Sequence, residues 1–317
     1  MPTNMYRLFS KSGLSLERLR TFCEVAAAGG ISNAVPDDPT RQSQFSRQLK
    51  ELEGFFEAKL LLRKRGRFEL TASGRELFQI VQAHFSALQE LADRCSNQKI
   101  EVRIGAGESL LQWLLLPCLG GFHARHPSAM LVLQNLQTDN ILKKLADGEI
   151  DIGIVRQEVV RAPLKFERLG QIEHRLVVPA AKKKSDGADP WALLGAHPVA
   201  VLDGSEVTRA LERDAAARRI KLDIVVRTSS HAQLVEAVRG ARCAAVLPTV
   251  VVSSHAQGIS SFPLSELKPY SRSLVLAWNP RNAELRPATL LILHDLAELT
   301  RKMIQTAGAG KAIHGAP

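Results

Sequence analysis

From about residue 99 onward, segments typical of strands alternate with segments typical of helices, and this alternation restricts the possible folds most strongly. EVRIGAG at 101–107 is rich in β-branched residues, a stretch with helical apolar spacing follows, and MLVLQNL at 130–136 is strand-like again. ILKKLADGE and IDIGIV continue the pattern, and DIVVRTSS, HAQLVEAVRGA and CAAVLP repeat it. Strands that alternate with helices form βαβ units around a largely parallel sheet. The sequence therefore predicts an α/β domain over 99–305.

The first seventy residues follow a different pattern. LERLRTFCEVAAAGG predicts an amphipathic helix that ends at the two glycines, and a second helix is expected to begin with Thr40 as its N-cap. Phe45, Leu49, Leu52 and Phe56 lie on one face of that helix, because they are spaced four, three and four residues apart. The other surface is polar. It is either the solvated side of a core-packed helix or a surface that contacts DNA bases and phosphates.

A short basic hairpin follows this polar helix. LLLRKRGRFELT predicts a strand, a glycine turn and a second strand, with Arg63, Lys64, Arg65 and Arg67 clustered at the turn. Helix, helix and hairpin are the order of a winged helix-turn-helix, in which basic hairpin residues would contact phosphate. The net charge of +10 and the pI of about 9.7 agree with a nucleic-acid partner. Residues 14–71 are therefore predicted to form a DNA-binding domain.

Residues 16–74 resemble the DNA-binding domain of LysR-type transcriptional regulators. The resemblance is carried by LRTFCEVAAAGGIS, by QFSRQLKELE and by the hairpin that runs into LTASG. It implies that Gln42, Ser43, Ser46 and Arg47 face DNA. Together with the polar and basic neighbours, the predicted DNA-binding residues are Arg41, Gln42, Ser43, Gln44, Ser46, Arg47, Lys50, Lys64, Arg65, Arg67 and Thr71.

The stretch NAVPDDPT departs from the family pattern, which has a regular second helix here. Pro36 and Pro39 disrupt a helix, so the sequence predicts either a helix of a single turn or an unusual way of docking on DNA.

The segment 72–95 predicts one long helix, because SGRELFQIVQAHFSALQELADR contains no proline. Phe78, Val81, Phe85 and Leu88 form a heptad seam on that helix. The seam either packs against its own domain or joins two chains. The resemblance includes this linker helix and implies a homodimer, with tetramers common in the family, so we favour a dimer seam.

The resemblance extends through FHARHPSAMLVLQNLQTDNILKKLADGEIDIGIV and RTSSHAQLVEAVRGARCAAVLP to about residue 298. It implies an effector domain with the periplasmic-binding-protein (type 2) fold. Two α/β subdomains are joined by crossing strands, and a ligand cleft lies between them. We assign 99–156 and 272–305 to subdomain I and 157–271 to subdomain II, and expect a flexible tail at 306–317.

Two predicted strands end in residues that suit a ligand site. Ligands bind beyond the carboxyl ends of strands in open α/β sheets, and the amides of helix N-termini favour anions. A small carboxylate-bearing effector is our hypothesis, although simple N-capping explains each hydroxyl equally well. Glu108 would oppose an anion and Arg156 could offset it. The predicted effector-binding residues are Gly107, Glu108, Ser109, Leu110, Val155, Arg156, Thr228, Ser229 and Ser230.

Patterns of enzymes and cofactor sites are weak or missing. GAGESL begins like a dinucleotide-binding loop but has Leu110 at the third glycine position, and the four cysteines form no CxxC pair. His123 and His126 lack further metal ligands nearby. We therefore expect no cofactor, no metal and no enzymatic activity.

The expected function is that of a DNA-binding transcriptional regulator controlled by a small-molecule effector. Its expected partners are double-stranded DNA, further copies of itself and the effector, with RNA polymerase as a further candidate. The scattered cysteines, a start without an apolar signal core and the lack of an apolar run of about 20 residues predict a cytoplasmic protein with no membrane segment. The alternative is a small-molecule binding protein or cleft enzyme without specific DNA recognition.

Overall fold

The computed structural model describes residues 11–64, 66–180, 189–240, 242–254 and 258–309. Arg65 and the last part of the expected tail, 310–317, lie outside these ranges. Three parts follow one another along the chain: a helical head with a hairpin, a long linker helix, and an α/β domain made of two sheets.

The described part of the head, from residue 11 onward, consists of three helices and one hairpin. They are α1 (Leu16–Ala28), α2 (Ile31–Ala34), α3 (Pro39–Phe56), β1 (Leu61–Lys64) and β2 (Arg67–Leu70). Helix α1 ends as expected at Gly29, which takes a left-handed conformation with φ 68°. Phe22, Phe45 and Leu52 are buried at the centre of the head.

The proline-containing stretch shortens α2 to a single turn, which confirms the first of the two alternatives. Asp37 in the following turn has φ 58°, in the left-handed region. The N-cap of α3 is Asp38, whose carboxylate accepts the backbone N–H of Arg41 at 3.0 Å. The prediction of Thr40 as the cap was wrong, because Pro39 takes the first helical position, where its missing N–H costs nothing.

The linker helix α4 spans Ala72–Cys95, and Thr71 is its N-cap. Its first half packs on the head: Phe78 and Val81 are each 3% exposed within the head core, and Phe85 packs partly against it. The assignment of Phe78 and Val81 to a dimer seam is therefore wrong, because their own head already buries them. Leu88, beyond the head, is 53% exposed.

The α/β domain contains the remaining strands and helices. The strands are β3 (Ile100–Ala106), β4 (Ala129–Asn135), β5 (Ile152–Arg156), β6 (Lys165–Ile172), β7 (His174–Pro179), β8 (Pro198–Leu202), β9 (Asp223–Thr228), β10 (Ala244–Pro248), β11 (Ile259–Pro263) and β12 (Arg272–Trp278). The α-helices longer than one turn are α5 (Leu119–Arg125), α6 (Thr138–Asp147), α7 (Pro190–Ala196), α8 (Glu206–Ala217), α9 (His231–Arg239), α10 (Thr249–Ser254), α11 (Pro280–Glu284) and α12 (Pro287–Gly308), and short helical turns such as Glu108–Leu110 connect some of these elements. In the part of the chain that the structure covers, no helix has the length and hydrophobicity to cross a membrane.

Two five-stranded sheets organise this domain. Subdomain I has the strand order β4-β3-β5-β12-β6, and subdomain II has the order β11-β7-β10-β8-β9. In each sheet several strands joined by helices run parallel, such as β3 with β4 and β8 with β9, whereas β7 runs antiparallel to β10. The returning strand β12 is antiparallel to both of its neighbours. The predicted two-subdomain α/β fold is confirmed.

The chain crosses between the subdomains at Glu173, directly after β6, and again at Ser271, directly before β12. The predicted start of subdomain II at residue 157 was too early. Strand β6 pairs with β12 from Lys165 to Ile172 and so extends the first sheet. The predicted tail also began too early, because α12 continues to Gly308.

The second half of α4 is joined to subdomain I by buried charges. Arg286 donates its Nε to the Glu90 carboxylate at 3.1 Å and also pairs with Asp151. The side chains of Arg286, Glu90 and Asp151 are 6%, 2% and 6% exposed. Glu90 further accepts the hydroxyl of Thr289 at 2.7 Å. The helix that leaves the head is thus held to the effector domain by a buried polar network.

Candidate nucleic-acid interface and ligand cleft

Helix α3 has a fixed orientation in the head because one face is locked on α1. Phe45, Leu49 and Leu52 are buried there. The side chain of Gln48 is buried as well, where it accepts the Thr21 hydroxyl at 2.6 Å. The opposite surface is consequently held toward solvent, and it carries five exposed predicted DNA-binding residues: Arg41, Ser43, Gln44, Arg47 and Lys50.

The charged groups on this surface are only weakly engaged. The Nε of Arg47 lies 3.7 Å from the Glu51 carboxylate, and the Arg41 guanidinium lies 5.7 Å from the centre of the Phe45 ring. Exposed pairs of this kind contribute about 0–1 kcal/mol. Both arginines can therefore exchange these contacts for phosphate or base contacts.

Three other predicted DNA-binding residues are less exposed. Gln42 donates its side-chain amide to the carbonyl of Val35 at 2.9 Å and so holds the turn between α2 and α3. Ser46 is half-buried. The Thr71 hydroxyl donates to the Lys59 carbonyl at 2.7 Å and accepts the N–H of Gly74. DNA contact by these three residues stays a prediction. The side chains of Gln42 and Thr71 already make hydrogen bonds that hold the local backbone in place.

The hairpin adds positive charge beside α3. Arg63, Lys64 and Arg67 are exposed on β1 and β2, and Lys64 lies 3.3 Å from Glu69. Arg65, the fourth basic residue predicted for the hairpin, lies outside the described residues. The head thus presents a polar helix and a basic hairpin, the two parts that groove reading and backbone contact require.

A cleft of about 1450 Å³, its open mouth included, separates the two subdomains. Seven of the nine predicted effector-binding residues line it: Gly107, Glu108, Ser109, Leu110, Val155, Arg156 and Ser229. The structure brings them together because β3 and β5 are neighbours in the first sheet, while Ser229 follows β9 in the second.

Thr228 and Ser230 are not among the residues that line this cleft. Thr228 is buried, and its hydroxyl accepts the N–H of Ser230 at 3.1 Å. Ser230 caps α9 by accepting the N–H of Ala232 at 3.2 Å. The structure thus gives these two hydroxyls a local hydrogen-bonding role, as the capping alternative predicts, and their contact with an effector stays a prediction.

Several residues that line the cleft were missed by the sequence analysis. They are Asn135, Gln137, Thr138, His174, His231 and Arg272. Asn135 is the last residue of β4 and the next two follow that strand, so the rule that ligands bind beyond strand ends could have found them. His174 and Arg272 begin the two strands that follow the crossings between subdomains, and no local motif marks that position.

Three basic side chains, Arg272, His174 and His231, line one part of the cleft, which we call its floor. Burial lowers the pKa of Arg272 from its ordinary value, and the nearby positive charge of Arg156 lowers it further. Burial lowers the pKa of His174 and of His231 to about 4, and Arg272 contributes to both shifts. At neutral pH the floor therefore holds a charged guanidinium beside two neutral imidazoles.

A metal site has no support in the described ranges, which contain no group of three His, Cys, Asp or Glu side chains suited to a metal. His126 contacts Asp295 at 2.7 Å, as part of the packing between α5 and α12.

Two family models match the chain and together span most of it. Residues 16–75 match the bacterial regulatory helix-turn-helix protein model of the lysR family, and residues 97–298 match the LysR substrate binding domain. A probable nitrogen assimilation transcriptional activator of Synechocystis sp. is 27% identical over 257 residues, which are 76% of this chain and 80% of that protein.

Solved structures share the fold over the full length. A full-length OxyR variant of Pseudomonas aeruginosa has a TM-score of 0.62 at 21% identity, and the match covers 90% of this chain and 95% of that one. Full-length CbnR in complex with its target DNA has a TM-score of 0.53 at 17% identity, and the match covers 90% of this chain and 100% of that one. At such identities these likenesses establish the architecture alone.

Proposed function

The chain belongs to the LysR family of bacterial transcriptional regulators, and from this premise we propose how its head and cleft work. The family is one of regulators with a DNA-binding head and an effector-binding domain, not of enzymes. The alternative of a cleft enzyme or binder without DNA recognition is therefore set aside.

We propose that the exposed surface of α3 reads operator DNA in the major groove and that the hairpin contacts the adjoining phosphates. The supporting observation is the exposure of Arg41, Ser43, Gln44, Arg47 and Lys50 on a helix whose other face is fixed in the core. Short polar and forked side chains are suited to base edges. The fold shared with CbnR, solved with its target DNA, supports this proposal, and action on chromosomal DNA implies a cytoplasmic location.

Mobility-shift titration with the DNA upstream of the chain's own gene tests this assignment. We expect a saturable complex that a scrambled duplex of equal length and composition does not form at the same protein concentration. Arg47→Ala should weaken that complex, whereas Arg239→Ala, an exposed charge on α9 of the effector domain, should leave it unchanged. Equal affinity for the upstream and scrambled duplexes would contradict sequence-specific recognition.

A dimer seam on the exposed side of α4 is part of the proposal. Ile80, Leu88 and Leu91 are 37%, 53% and 50% exposed, and their spacing of eight and three residues places them on one side of the helix. Burial of this apolar stripe between two copies would pair two heads for a two-fold operator. Effector domains would associate further into a tetramer, and RNA polymerase is the proposed downstream contact.

The cleft is the proposed effector site, and a small carboxylate is the proposed ligand class. Closure of the subdomains on the ligand would change their relative angle. Because Glu90 and Arg286 hold α4 to subdomain I, that change would be transmitted to the heads. The ligand must bind one arrangement more tightly than the other for this to alter DNA binding.

A further inference from the structure

We propose that a carboxylate group of the effector binds at the cleft floor on Arg272 and His174, beside His231, and that Glu108 competes with it. This inference rests on the proposed function of the cleft and specifies which side chains recognise the ligand's acid group.

The three basic side chains lie together. Arg272, His174 and His231 line the cleft, and all three also line a smaller cavity behind it in subdomain II. They therefore form the cleft floor, which separates the cleft from this smaller cavity. Arg272 and His174 each begin the strand that follows a crossing between the subdomains, so the cleft floor lies at the hinge between them.

The positive charge of the Arg272 guanidinium is only partly offset by the protein, through the more distant carboxylates of Glu206 and Glu158. Among the described residues, no carboxylate lies within ion-pair distance of it and it donates no side-chain hydrogen bond. Arg156, the other arginine of the cleft, has an exposed and therefore weak partner in Glu158 at 3.5 Å. An arginine cannot lose its proton in a protein. A half-buried, unpaired guanidinium facing a cleft is thus prepared for a ligand anion.

His174 provides a second group without a partner. Its side chain is 7% exposed, and its Nδ1 atom has no hydrogen-bond partner in the described part of the chain. A buried polar atom that stays unpaired costs about 1–3 kcal/mol. A neutral imidazole can donate from this atom, and a carboxylate on Arg272 has a second oxygen to accept it.

The N-terminus of α9 adds to the attraction of an anion, and Glu108 opposes it. His231 is the first residue of α9, where free amides and the helix dipole favour negative charge. The carboxylate of Glu108 reaches across the cleft from subdomain I to within 3.5 Å of the Ser230 hydroxyl, the cap of that helix. Glu108 therefore occupies the surroundings that a ligand carboxylate would take.

Calorimetric titration of the full chain tests the site. The probes are acetate, benzoate, oxalate, succinate, glutarate and inorganic phosphate, with acetamide, benzamide and succinamide as neutral analogues of similar shape. We expect at least one carboxylate to bind and its amide not to bind. Arg272→Gln should weaken that binding about 10- to 100-fold, the effect of losing a charge-assisted hydrogen-bond pair. Glu108→Gln should strengthen it about threefold, because it removes a repelling charge.

Two controls keep the result decisive. Arg239→Gln removes an exposed positive charge at the far end of α9 and should not change the affinity. If Arg272→Gln does not fold by circular dichroism, Arg272→Lys, which keeps the charge without the planar fork, should bind more weakly than wild type. The inference is overturned if no carboxylate in the panel binds, or if phosphate is the only anion that binds. It is also overturned if the amides bind as tightly as the carboxylates, or if every Arg272 variant that folds binds the carboxylate with wild-type affinity.

Mobility shift on the same protein preparations separates this inference from the regulator assignment. Specific DNA binding without carboxylate binding would remove only the anion site. If the wild-type chain shows neither specific DNA binding nor carboxylate binding, the proposed function is contradicted as well.

Discussion

Replacing Glu90 by alanine tests the polar network that holds the linker helix to the effector domain. Its carboxylate accepts the Nε of Arg286 at 3.1 Å, the N–H of Ala288 at 3.1 Å and the hydroxyl of Thr289 at 2.7 Å. The Glu90 and Arg286 side chains are 2% and 6% exposed, so water cannot easily replace the lost acceptor. The alanine variant would leave buried donors with fewer acceptors.

The expected cost follows from this burial. Removing one partner of a buried ion pair costs roughly 3–5 kcal/mol. Arg286 keeps Asp151 and the Glu101 carbonyl as acceptors, which favours the lower end of that range. We therefore expect Glu90→Ala to lower the free energy of unfolding by about 3 kcal/mol. Glu90→Gln keeps one acceptor oxygen and should lose about half as much.

Urea unfolding followed by tryptophan fluorescence and far-UV circular dichroism measures this free energy. Trp113 and Trp278 report on the part of the domain that contains the network, because both belong to subdomain I or its connecting turns. Glu76→Ala, on the exposed side of the same helix, is the matched control and should change stability by less than about 0.5 kcal/mol. Equal unfolding curves for Glu90→Ala and Glu76→Ala would refute a stabilising role of the network.

Three further predictions concern the cleft, the head and the seam. The pKa of His174 and of His231 is lowered from 6.5 to about 4, so the unfolded chain binds more protons in this range and stability falls as the pH drops from 6.5 toward 4. In urea titrations at each pH, the double variant His174→Gln, His231→Gln should reduce that loss by roughly 4–7 kcal/mol, and an equal loss of stability in the variant and the wild type would contradict the buried neutral state of the two imidazoles. Gly74→Ala should lower the Tm of the head, because the added Cβ would clash with the Leu60 carbonyl oxygen. An unchanged melting curve would show that Gly74 and the Leu60 carbonyl are not closely packed. Leu88→Asp should weaken self-association about tenfold or more in sedimentation equilibrium, because the seam would then bury a charge in each copy, and an unaltered dissociation constant would exclude Leu88 from the seam.

Local patterns in the sequence predict the elements well and their partners less well. The alternation after residue 99 correctly predicts two α/β units, since each strand and helix has its own periodicity. The heptad spacing of Phe78 and Val81 is equally correct as a helix face. Periodicity cannot distinguish a partner chain from the chain's own head, which is what buries these residues.

Long-range pairing explains the remaining differences. Strand β6 belongs to the first sheet because it pairs with β12, about a hundred residues later, and no signal near residue 165 reveals that partner. Arg272 and His174 meet at the cleft floor for the same reason, since each begins a strand after a crossing. In contrast, Gln137 and Thr138 follow the end of a predicted strand, and applying the strand-end rule there would have found them.

Comparison of Arg47→Ala with Arg63→Ala tests most directly whether α3 reads the bases of an operator. Fluorescence anisotropy would give the affinity for the operator and for a scrambled duplex over a range of salt concentrations. We predict that Arg47→Ala loses about 10- to 100-fold in affinity for the operator and little for the scrambled duplex. Arg63→Ala, on the hairpin, should weaken both equally and reduce the salt slope by about one. An unchanged ratio of operator to scrambled affinity in Arg47→Ala would contradict base reading by this side chain.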